Sequence, residues 1–95
     1  MPYTLRYHPA VAEEDLPDIP ANLRRRLARS IESRLTINPS LYGMPLRGSL
    51  KGYWKLRVGD YRVVFKIARE EVWIFTVLHR KRVYEAVTTR LRWQP

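Results

Sequence analysis

The first regular pattern in the chain is an alternation of apolar and polar side chains near its start. Over residues 3–8 two tyrosines and a leucine fall on one side, and threonine, arginine and histidine fall on the other. A period of two predicts a half-buried strand. Pro9 suits the first turn of a helix, and the acidic stretch after it predicts a short helical segment over residues 11–16.

A longer apolar pattern with a spacing of four residues follows. Its members are Leu23, Leu27, Ile31 and Leu35. This spacing places them on one face of a second helix, with five arginines off that face. Asp18 or Asn22 is expected to cap the start of this helix. It must end before Asn38, because the residue before a proline avoids the helical conformation. The two helices are predicted to form an amphipathic hairpin.

Alternation returns after residues 39–52, which hold two prolines and three glycines and are predicted to be a loop. Residues 53–58 and 61–67 each set a polar, largely basic face against an apolar face, and the Gly-Asp pair between them predicts a tight turn. Glu70 and Glu71 predict the next turn. Residues 72–78 are almost continuously apolar, which predicts a strand buried on both faces.

A final short helix is predicted over residues 83–93, because Glu85 and Ala86 are good helix formers. The element order is then β-α-α-β-β-β-α. It predicts an α+β fold of two layers, with the helix hairpin packed on one face of a mainly antiparallel four-stranded sheet. Residues 1–95 are expected to form a single domain with a thin core.

The charge balance adds a prediction about partners. The 18 Lys and Arg residues against 9 Asp and Glu give a formal charge of +9 on 95 residues. This excess predicts a polyanionic partner, although an acidic protein or a merely solvated basic surface would account for it as well. No segment has the pattern of a signal peptide or the length of a membrane span, so a cytoplasmic location without a membrane partner is expected.

Composition also limits the chemistry that the chain can perform. The absence of cysteine excludes a disulfide framework, a thiolate metal site and a cysteine nucleophile. The two histidines, His8 and His79, cannot form a metal site alone, so no cofactor is expected. His8 is interpreted as structural and His79 as a residue at the end of a strand. Trp54 and Trp73 are predicted to lie in the core, while Trp93 could fold back on the core or dock a partner.

The basic face of the predicted strands is the candidate functional surface. Side chains on one face of neighbouring strands lie about 5 Å apart, so Lys55, Arg57 and Arg62 are expected to converge, with Arg80 at the same rim. A tyrosine is expected at its edge: Tyr53, Tyr61 or Tyr84. Cations that hold phosphates beside rings that stack on bases are typical of RNA-binding surfaces. The alternative is that these cations form only a solvated outer face.

Three segments carry a resemblance to a known family. They are Leu-Arg-Gly at 46–48, the block at 53–65 that contains R-V-G-D-Y-R-V, and the block at 79–84 with the pattern H-R-x-x-x-Y. In this combination and order they resemble RelE-type toxins of the RelE/ParE superfamily. The resemblance covers nearly the whole chain, and it implies the RelE-like fold.

The resemblance also implies a function. RelE-type toxins bind in the decoding site of the ribosome and cut the exposed mRNA codon, and each is neutralised by an antitoxin encoded beside it. The implied partners here are therefore mRNA, the ribosome and a cognate antitoxin, which is expected to be acidic. Cleavage requires a deprotonated 2′-hydroxyl, a stabilised phosphate and a proton for the departing 5′-oxygen. Cations and a tyrosine meet these needs without a metal.

Carried over by position, the resemblance gives four residues a catalytic role. Arg62 stabilises the phosphate, Arg80 assists the leaving oxygen, and Tyr84 stacks on a base or accepts the hydroxyl proton. Lys55 is the fourth member, and crowding by Arg57 and Arg62 favours the neutral form that a base needs. The residues expected to bind RNA around them are Lys51, Tyr53, Arg57, Lys81 and Arg82.

The chain departs from the family pattern at one position. RelE has a second lysine two positions before the one that matches Lys55, and this chain has Tyr53 there. Either Lys51 compensates or the catalytic set differs.

Two other functions remain open on the residues alone. A ParE-like inhibitor of DNA gyrase shares the fold, but that class typically lacks the arginine–tyrosine pair seen here as Arg80 and Tyr84. A noncatalytic RNA-binding module would also use the cationic strand face.

Overall fold

A computed structural model of the chain describes residues 2–83 and Arg90. In this part of the chain a five-stranded sheet is formed by β1 (Thr4–Tyr7), β2 (Met44–Pro45), β3 (Trp54–Val58), β4 (Tyr61–Ala68) and β5 (Glu71–His79). The order across the sheet is β1-β5-β4-β3-β2. β1 is parallel to β5, and the other neighbouring strands are antiparallel. The predicted α+β class is confirmed.

The prediction of four strands was wrong by one. β2 lies inside the segment predicted as a loop, where Met44 pairs with Lys55 and Pro45 with Trp54. The same segment holds two short helical pieces, Pro39–Tyr42 and Gly48–Leu50. A strand of two residues is too short to show an alternation, so the proline and glycine content decided the sequence prediction.

The helical layer precedes β2. Its first piece, α1, has π-type hydrogen bonding over Val11–Asp15 and leads into a 3-10 turn at Leu16–Asp18. The longer helix α2 is an α-helix over Ala21–Ser30 and continues with π-type bonding over Ile31–Leu35. It buries Leu27, Ile31 and Leu35, as the four-residue spacing predicted.

The predicted side-chain cap of α2 was wrong. The helix starts after Pro20, and neither Asp18 nor Asn22 caps it with a side-chain hydrogen bond. Pro20 has φ −54° and ψ 146°, an extended conformation of the kind that the residue before a helix adopts. The Arg24 guanidinium instead ties α2 to the preceding turn, through hydrogen bonds of 3.2 Å to the Leu16 carbonyl and 2.7 Å to the Ile19 carbonyl.

The main core lies between the helices and one face of the sheet. Val11 and the buried residues of α2 pack there against apolar side chains from β3, β4 and β5. The strand residues of this cluster are Leu56, Val58, Val63, Phe65, Val72, Ile74 and Val77. We call this side of the sheet the helix-side face and the other side the open face.

The two turns between the last three strands differ in how well they were predicted. Gly59 has a φ of +59° and forms the predicted tight turn with Asp60. The next turn was predicted one residue too late: it is formed by Arg69 and Glu70, and Glu71 already begins β5. Arg69 has a φ of +56°, a conformation that non-glycine residues adopt at a steric cost of about 1 kcal/mol.

A second apolar cluster lies on the open face. It consists of Leu46, Val64, Leu78 and Val83, all buried, with Leu50 and Tyr53 packed against it. The centre of this face is therefore covered by apolar side chains, and the alternative of a fully solvated outer face does not hold there. β5 is buried on both faces, as predicted.

The predicted final helix lies largely outside the described residues. Val83 and Arg90 are helical. Within the described part of the chain, no helix combines the length and apolar character needed to cross a membrane.

Candidate nucleic-acid interface

Two arginines face each other on the open face where β3 turns into β4. Arg57 and Arg62 are directly opposed in the register of the two strands. Directly opposed residues of an antiparallel pair have Cβ atoms about 5 Å apart, so two like charges are held close together. Lys55 lies two residues before Arg57 on the same face and opposite Val64. The strand register confirms that these three cations share one face, with Arg57 and Arg62 side by side.

Arg62 is the most buried of these cations, with 9% of its surface exposed. Its Nη1 donates hydrogen bonds of 2.9 Å to the Gly59 carbonyl and 2.9 Å to the Tyr61 carbonyl. The guanidinium therefore braces the β3–β4 turn. Both acceptors are backbone carbonyls of residues at this turn.

The chain after β5 returns to the same turn. The Arg80 backbone N–H donates a 2.8 Å hydrogen bond to the Asp60 carbonyl, which anchors the Arg80 backbone beside the turn that Arg62 braces. The Arg80 side chain is exposed, as are Lys81 and Arg82 after it. We call Lys55, Arg57, Arg62 and Arg80 the cationic corner. Arg57, Arg62 and the Arg80 backbone lie at the β3–β4 turn, and Lys55 extends the positive charge along β3.

The other predicted site residues are more scattered. Lys51 is exposed before the start of β3, at the opposite end of that strand from Arg57. Tyr53 is half-buried on the open face, with its ring edge-on to Phe75 at 5.3 Å and Lys66 Nζ 5.7 Å from its centroid. Tyr84 lies outside the described residues.

The expectation that Tyr61 lies at the edge of the cationic surface was wrong. Tyr61 packs against the core cluster of the helix-side face, and its ring is edge-on to His79 at 5.8 Å. It shares the parity of Val63 and Phe65 along β4, so it must point to their side of the sheet. His79 ends β5, as predicted.

The two described tryptophans lie on different faces. Trp54 packs against the main core and stacks on Phe65, with ring centroids 6.4 Å apart, as predicted. The core position predicted for Trp73 was wrong: it pairs with Lys66 of β4 and Arg6 of β1 on the open face, where it is half-buried. Its Nε1 donates a 3.3 Å hydrogen bond to Glu71 Oε1.

His8 has a structural role, as interpreted from the sequence. Its Nδ1 accepts a 3.0 Å hydrogen bond from the Ala10 backbone N–H at the start of the helical layer. Burial lowers the pKa of His8, and the positive charge of Arg90 lowers it further. The imidazole is therefore held neutral, with Nδ1 as the acceptor.

A buried ion pair was missed in the sequence. Asp15 at the end of α1 is 1% exposed and binds Arg90 in bidentate fashion, with 2.6 Å from Nη1 to Oδ2 and 2.6 Å from Nη2 to Oδ1. This hydrogen bonding raises the pKa of Arg90. Asp15 also accepts hydrogen bonds from Thr76 Oγ1 at 3.0 Å and from the Val77 N–H at 2.9 Å.

The Asp15–Arg90 pair supplies hydrogen-bond partners to the edge of β5 beyond the residues that pair with β1. β1 pairs with β5 only as far as Ile74, and a bulge at Phe75 interrupts the register with β4. Beyond that point Asp15 Oδ2 accepts a hydrogen bond from the Val77 N–H, and Arg90 Nη1 donates a 3.0 Å hydrogen bond to the Phe75 carbonyl. The acidic run at 13–15 was the only signal for this in the sequence, and it named no partner.

The described residues contain no group of three His, Cys, Asp or Glu side chains that could hold a metal ion. The chemistry available at the cationic corner is that of fixed positive charge, which holds phosphates and stabilises charge that develops on them.

Comparisons with known proteins agree with one another. The family model of the ParE toxin of the type II toxin-antitoxin system parDE matches residues 5–84. Toxin RelG of Mycobacterium tuberculosis is 34% identical over 86 residues, which cover 88% of this chain and 98% of RelG. Toxin RelE of the same organism is 33% identical over 91 residues, which cover 90% of this chain and 94% of RelE.

Solved structures are similar as well. The toxin-antitoxin complex RelBE2 from Mycobacterium tuberculosis matches with a TM-score of 0.78 and 30% identity, over 84% of this chain and 93% of that chain. The RelB-RelE complex from Methanococcus jannaschii matches with a TM-score of 0.64 and 22% identity, over 85% of this chain and 96% of that chain, which bears on the fold alone.

Proposed function

The chain belongs to the RelE/ParE family of type II toxin-antitoxin toxins, and from this premise we propose that it is a ribosome-dependent endoribonuclease that cuts mRNA. The observation that carries the proposal is the cationic corner. Arg57 and Arg62 are opposed on neighbouring strands, and the Arg80 backbone is bonded to the turn between them.

The proposed chemistry uses fixed charge. Attack of a 2′-hydroxyl on its own phosphate adds negative charge to the phosphate oxygens, and cations held in advance by the fold stabilise that charge at little reorganisation cost. Arg62 is suited to this role because its hydrogen bonds to the turn fix its guanidinium. The exposed Arg80 side chain is suited to the leaving 5′-oxygen, with Lys55 and Tyr84 completing the set.

The proposal includes a cognate antitoxin. Several solved structures similar to this chain are complexes with RelB-type antitoxins, including a RelE mutant of Escherichia coli bound to an antitoxin peptide. A chain with a formal charge of +9 suits an acidic partner segment. We place the protein in the cytoplasm, where its ribosome and mRNA substrates are found.

The proposal is tested in a purified translation system with a defined mRNA. The wild-type protein is expected to cut the mRNA at codons and only when ribosomes are present. Arg80→Ala and Tyr84→Phe are expected to reduce cutting by about two orders of magnitude or more, the scale typical of a removed charge-stabilising or proton-transfer group. Arg29→Ala, on the exposed side of α2, is the matched control and is expected to cut at the wild-type rate.

A second candidate function is inhibition of DNA gyrase, which the match to the ParE toxin family favours. Under this alternative, supercoiling by purified gyrase is inhibited while the mRNA stays intact. RNA binding without either effect points instead to a noncatalytic RNA-binding module. Either result would overturn the nuclease proposal.

A further inference from the structure

A row of side chains crosses the open face next to the cationic corner, and aromatic rings alternate with cations along it. Arg6 of β1 is paired with Trp73 of β5, and Trp73 is paired with Lys66 of β4. Tyr53, just before β3, brings its ring to within 5.7 Å of Lys66 Nζ. The row is not apparent from the sequence, because neighbouring members lie between 7 and 67 positions apart along the chain.

We propose that this row, Tyr53–Lys66–Trp73–Arg6, is a binding site for single-stranded RNA that extends the path of the substrate beyond the cationic corner. Bases stack on Tyr53 and Trp73, while Lys66 and Arg6 hold the phosphates between them. Stacking on rings beside cations is the usual way in which proteins bind single strands, and it tolerates any base sequence. The proposal deepens the nuclease function and rests on it for the identity of the strand.

The accessibility of the four side chains supports a binding role. Tyr53, Lys66 and Trp73 are half-buried, so each is supported by its neighbours and still presents surface to solvent. The Arg6 side chain is 54% exposed. Neighbouring strands are about 4.8 Å apart, so the row spans about 14 Å, which suits a short strand better than a single nucleotide.

Glu71 fixes the outer half of the row. Its Oε2 accepts a 3.0 Å hydrogen bond from Arg6 Nε, and its Oε1 accepts the 3.3 Å bond from Trp73 Nε1. One carboxylate therefore orients both a cation and a ring, which lowers the conformational entropy lost on binding. The same carboxylate repels phosphate, so its charge and its hydrogen bonds have opposite effects on RNA affinity.

The position of the row favours RNA over a protein partner. Lys55 lies two residues from Tyr53, so the row adjoins the cationic corner on the same face. A single strand with its scissile phosphate near Arg57 and Arg62 would reach the row along Lys55, which lies between them on β3. Rings and arginine are common at protein interfaces as well, so the position of the row beside Lys55 is what favours RNA.

The test measures the affinity of the full chain for a short fluorescent oligoribonucleotide with 2′-O-methyl riboses, which cannot be cut by 2′-hydroxyl attack. Trp73→Leu and Tyr53→Leu are each expected to weaken binding roughly tenfold, because each removes a stacking surface. Trp73→Phe and Tyr53→Phe keep a ring and are expected to stay within about threefold of wild type. Circular dichroism checks that each variant is folded.

Charge variants supply the second arm. Lys66→Gln and Arg6→Gln are each expected to lower affinity and to reduce the slope of log affinity against log salt by about one unit. Arg29→Gln removes an exposed charge from the helical layer and is the matched control, expected to change neither. Glu71→Gln keeps a hydrogen-bonding side chain, loses the negative charge and is expected to bind RNA more tightly than wild type.

Three outcomes would overturn the inference: leucine variants that bind RNA like wild type, an equal loss with Arg29→Gln, or Glu71→Gln that binds more weakly. Weakened capture of an acidic antitoxin peptide by the row variants, with RNA affinity intact, would assign the row to a protein partner and also contradict it. Failure of the nuclease proposal is distinguishable: wild-type protein that cuts no mRNA, while its binding of the uncleavable RNA still depends on the row, would overturn the nuclease function and leave the row standing.

Discussion

The two faces of the sheet are built from the same strands but differ in what covers them. The helix-side face is one continuous apolar cluster closed by Leu27, Ile31 and Leu35. The open face has a smaller apolar cluster at its centre, with the cationic corner at one end and the row of rings and cations at the other. The helix-side face contributes only to stability. The open face contributes to stability through its packed centre and also carries the groups proposed to bind a polyanion.

The largest expected effect is on the ion pair that joins the helical layer to the edge of β5. Asp15→Ala removes the partner of Arg90 and leaves the Val77 N–H without its acceptor. We expect a loss of about 3 kcal/mol in the free energy of unfolding, the scale of a broken buried ion pair. Urea denaturation measures it.

Glu13→Ala is the control for Asp15→Ala, because Glu13 is an exposed carboxylate in the same helical turn. It is expected to change stability by less than about 0.5 kcal/mol. Equal effects of the two variants would show that the Asp15–Arg90 pair does not hold the molecule together.

Two neighbouring valines compare the faces directly. Val63 and Val64 are both 0% exposed, but Val63 belongs to the helix-side cluster and Val64 to the open-face cluster. Each valine-to-alanine change is expected to cost about 2 kcal/mol of unfolding free energy, since two methyl groups leave a packed site. A loss below about 0.5 kcal/mol for Val64→Ala alone would mean that the centre of the open face is solvated.

A smaller effect is expected at the cationic corner, where the two opposed arginines differ in burial. Arg62→Gln loses two hydrogen bonds to the turn and is expected to cost about 1–2 kcal/mol of unfolding free energy. Arg57→Gln, on an exposed side chain, is expected to cost almost nothing and to ease the repulsion between the two charges. If Arg57→Gln is the more destabilising of the two in urea, the bracing role of Arg62 is wrong.

The smallest stability effect is expected in the row. The Arg6–Glu71 pair is exposed, with 54% and 37% of the two side chains accessible, so Arg6→Gln is expected to change the unfolding free energy by no more than about 1 kcal/mol. Its effect on RNA affinity is expected to be larger than its effect on stability. Thermal unfolding and RNA titration of the same variant provide the comparison, and the reverse ranking would identify Arg6 as a structural residue.

Much of the fold could be predicted because its periods are clear. The four-residue spacing of α2 and the alternation around Gly59 fixed which side chains of α2, β3 and β4 enter the main core. The convergence of Arg57 and Arg62 followed from the same alternation, since a tight turn leaves little freedom of register. Tyr61 was misplaced at the candidate site, although its parity with Val63 puts it on the apolar side of β4.

The rest depended on contacts that periodicity does not encode. A continuous apolar run such as 72–78 has no alternation that would show on which face of the sheet Trp73 lies. The bulge at Phe75 also shifts which residues of the run face each side. Asp15 and Arg90 are 75 positions apart, and a pair at that separation leaves no local pattern. The open-face cluster needed the chain before β3 and after β5 to meet over Val64, which only the tertiary structure brings about.

The most direct test of the central claim, that this protein cuts mRNA with the cationic corner, is to map the RNA ends on ribosomes programmed with a single codon in the decoding site. The account predicts a cut within that codon, a 2′,3′-cyclic phosphate on the upstream fragment and a 5′-hydroxyl on the downstream one. The cut is expected to be absent without ribosomes and to be lost in Arg80→Ala. Intact mRNA on those ribosomes with folded wild-type protein in excess would contradict the claim.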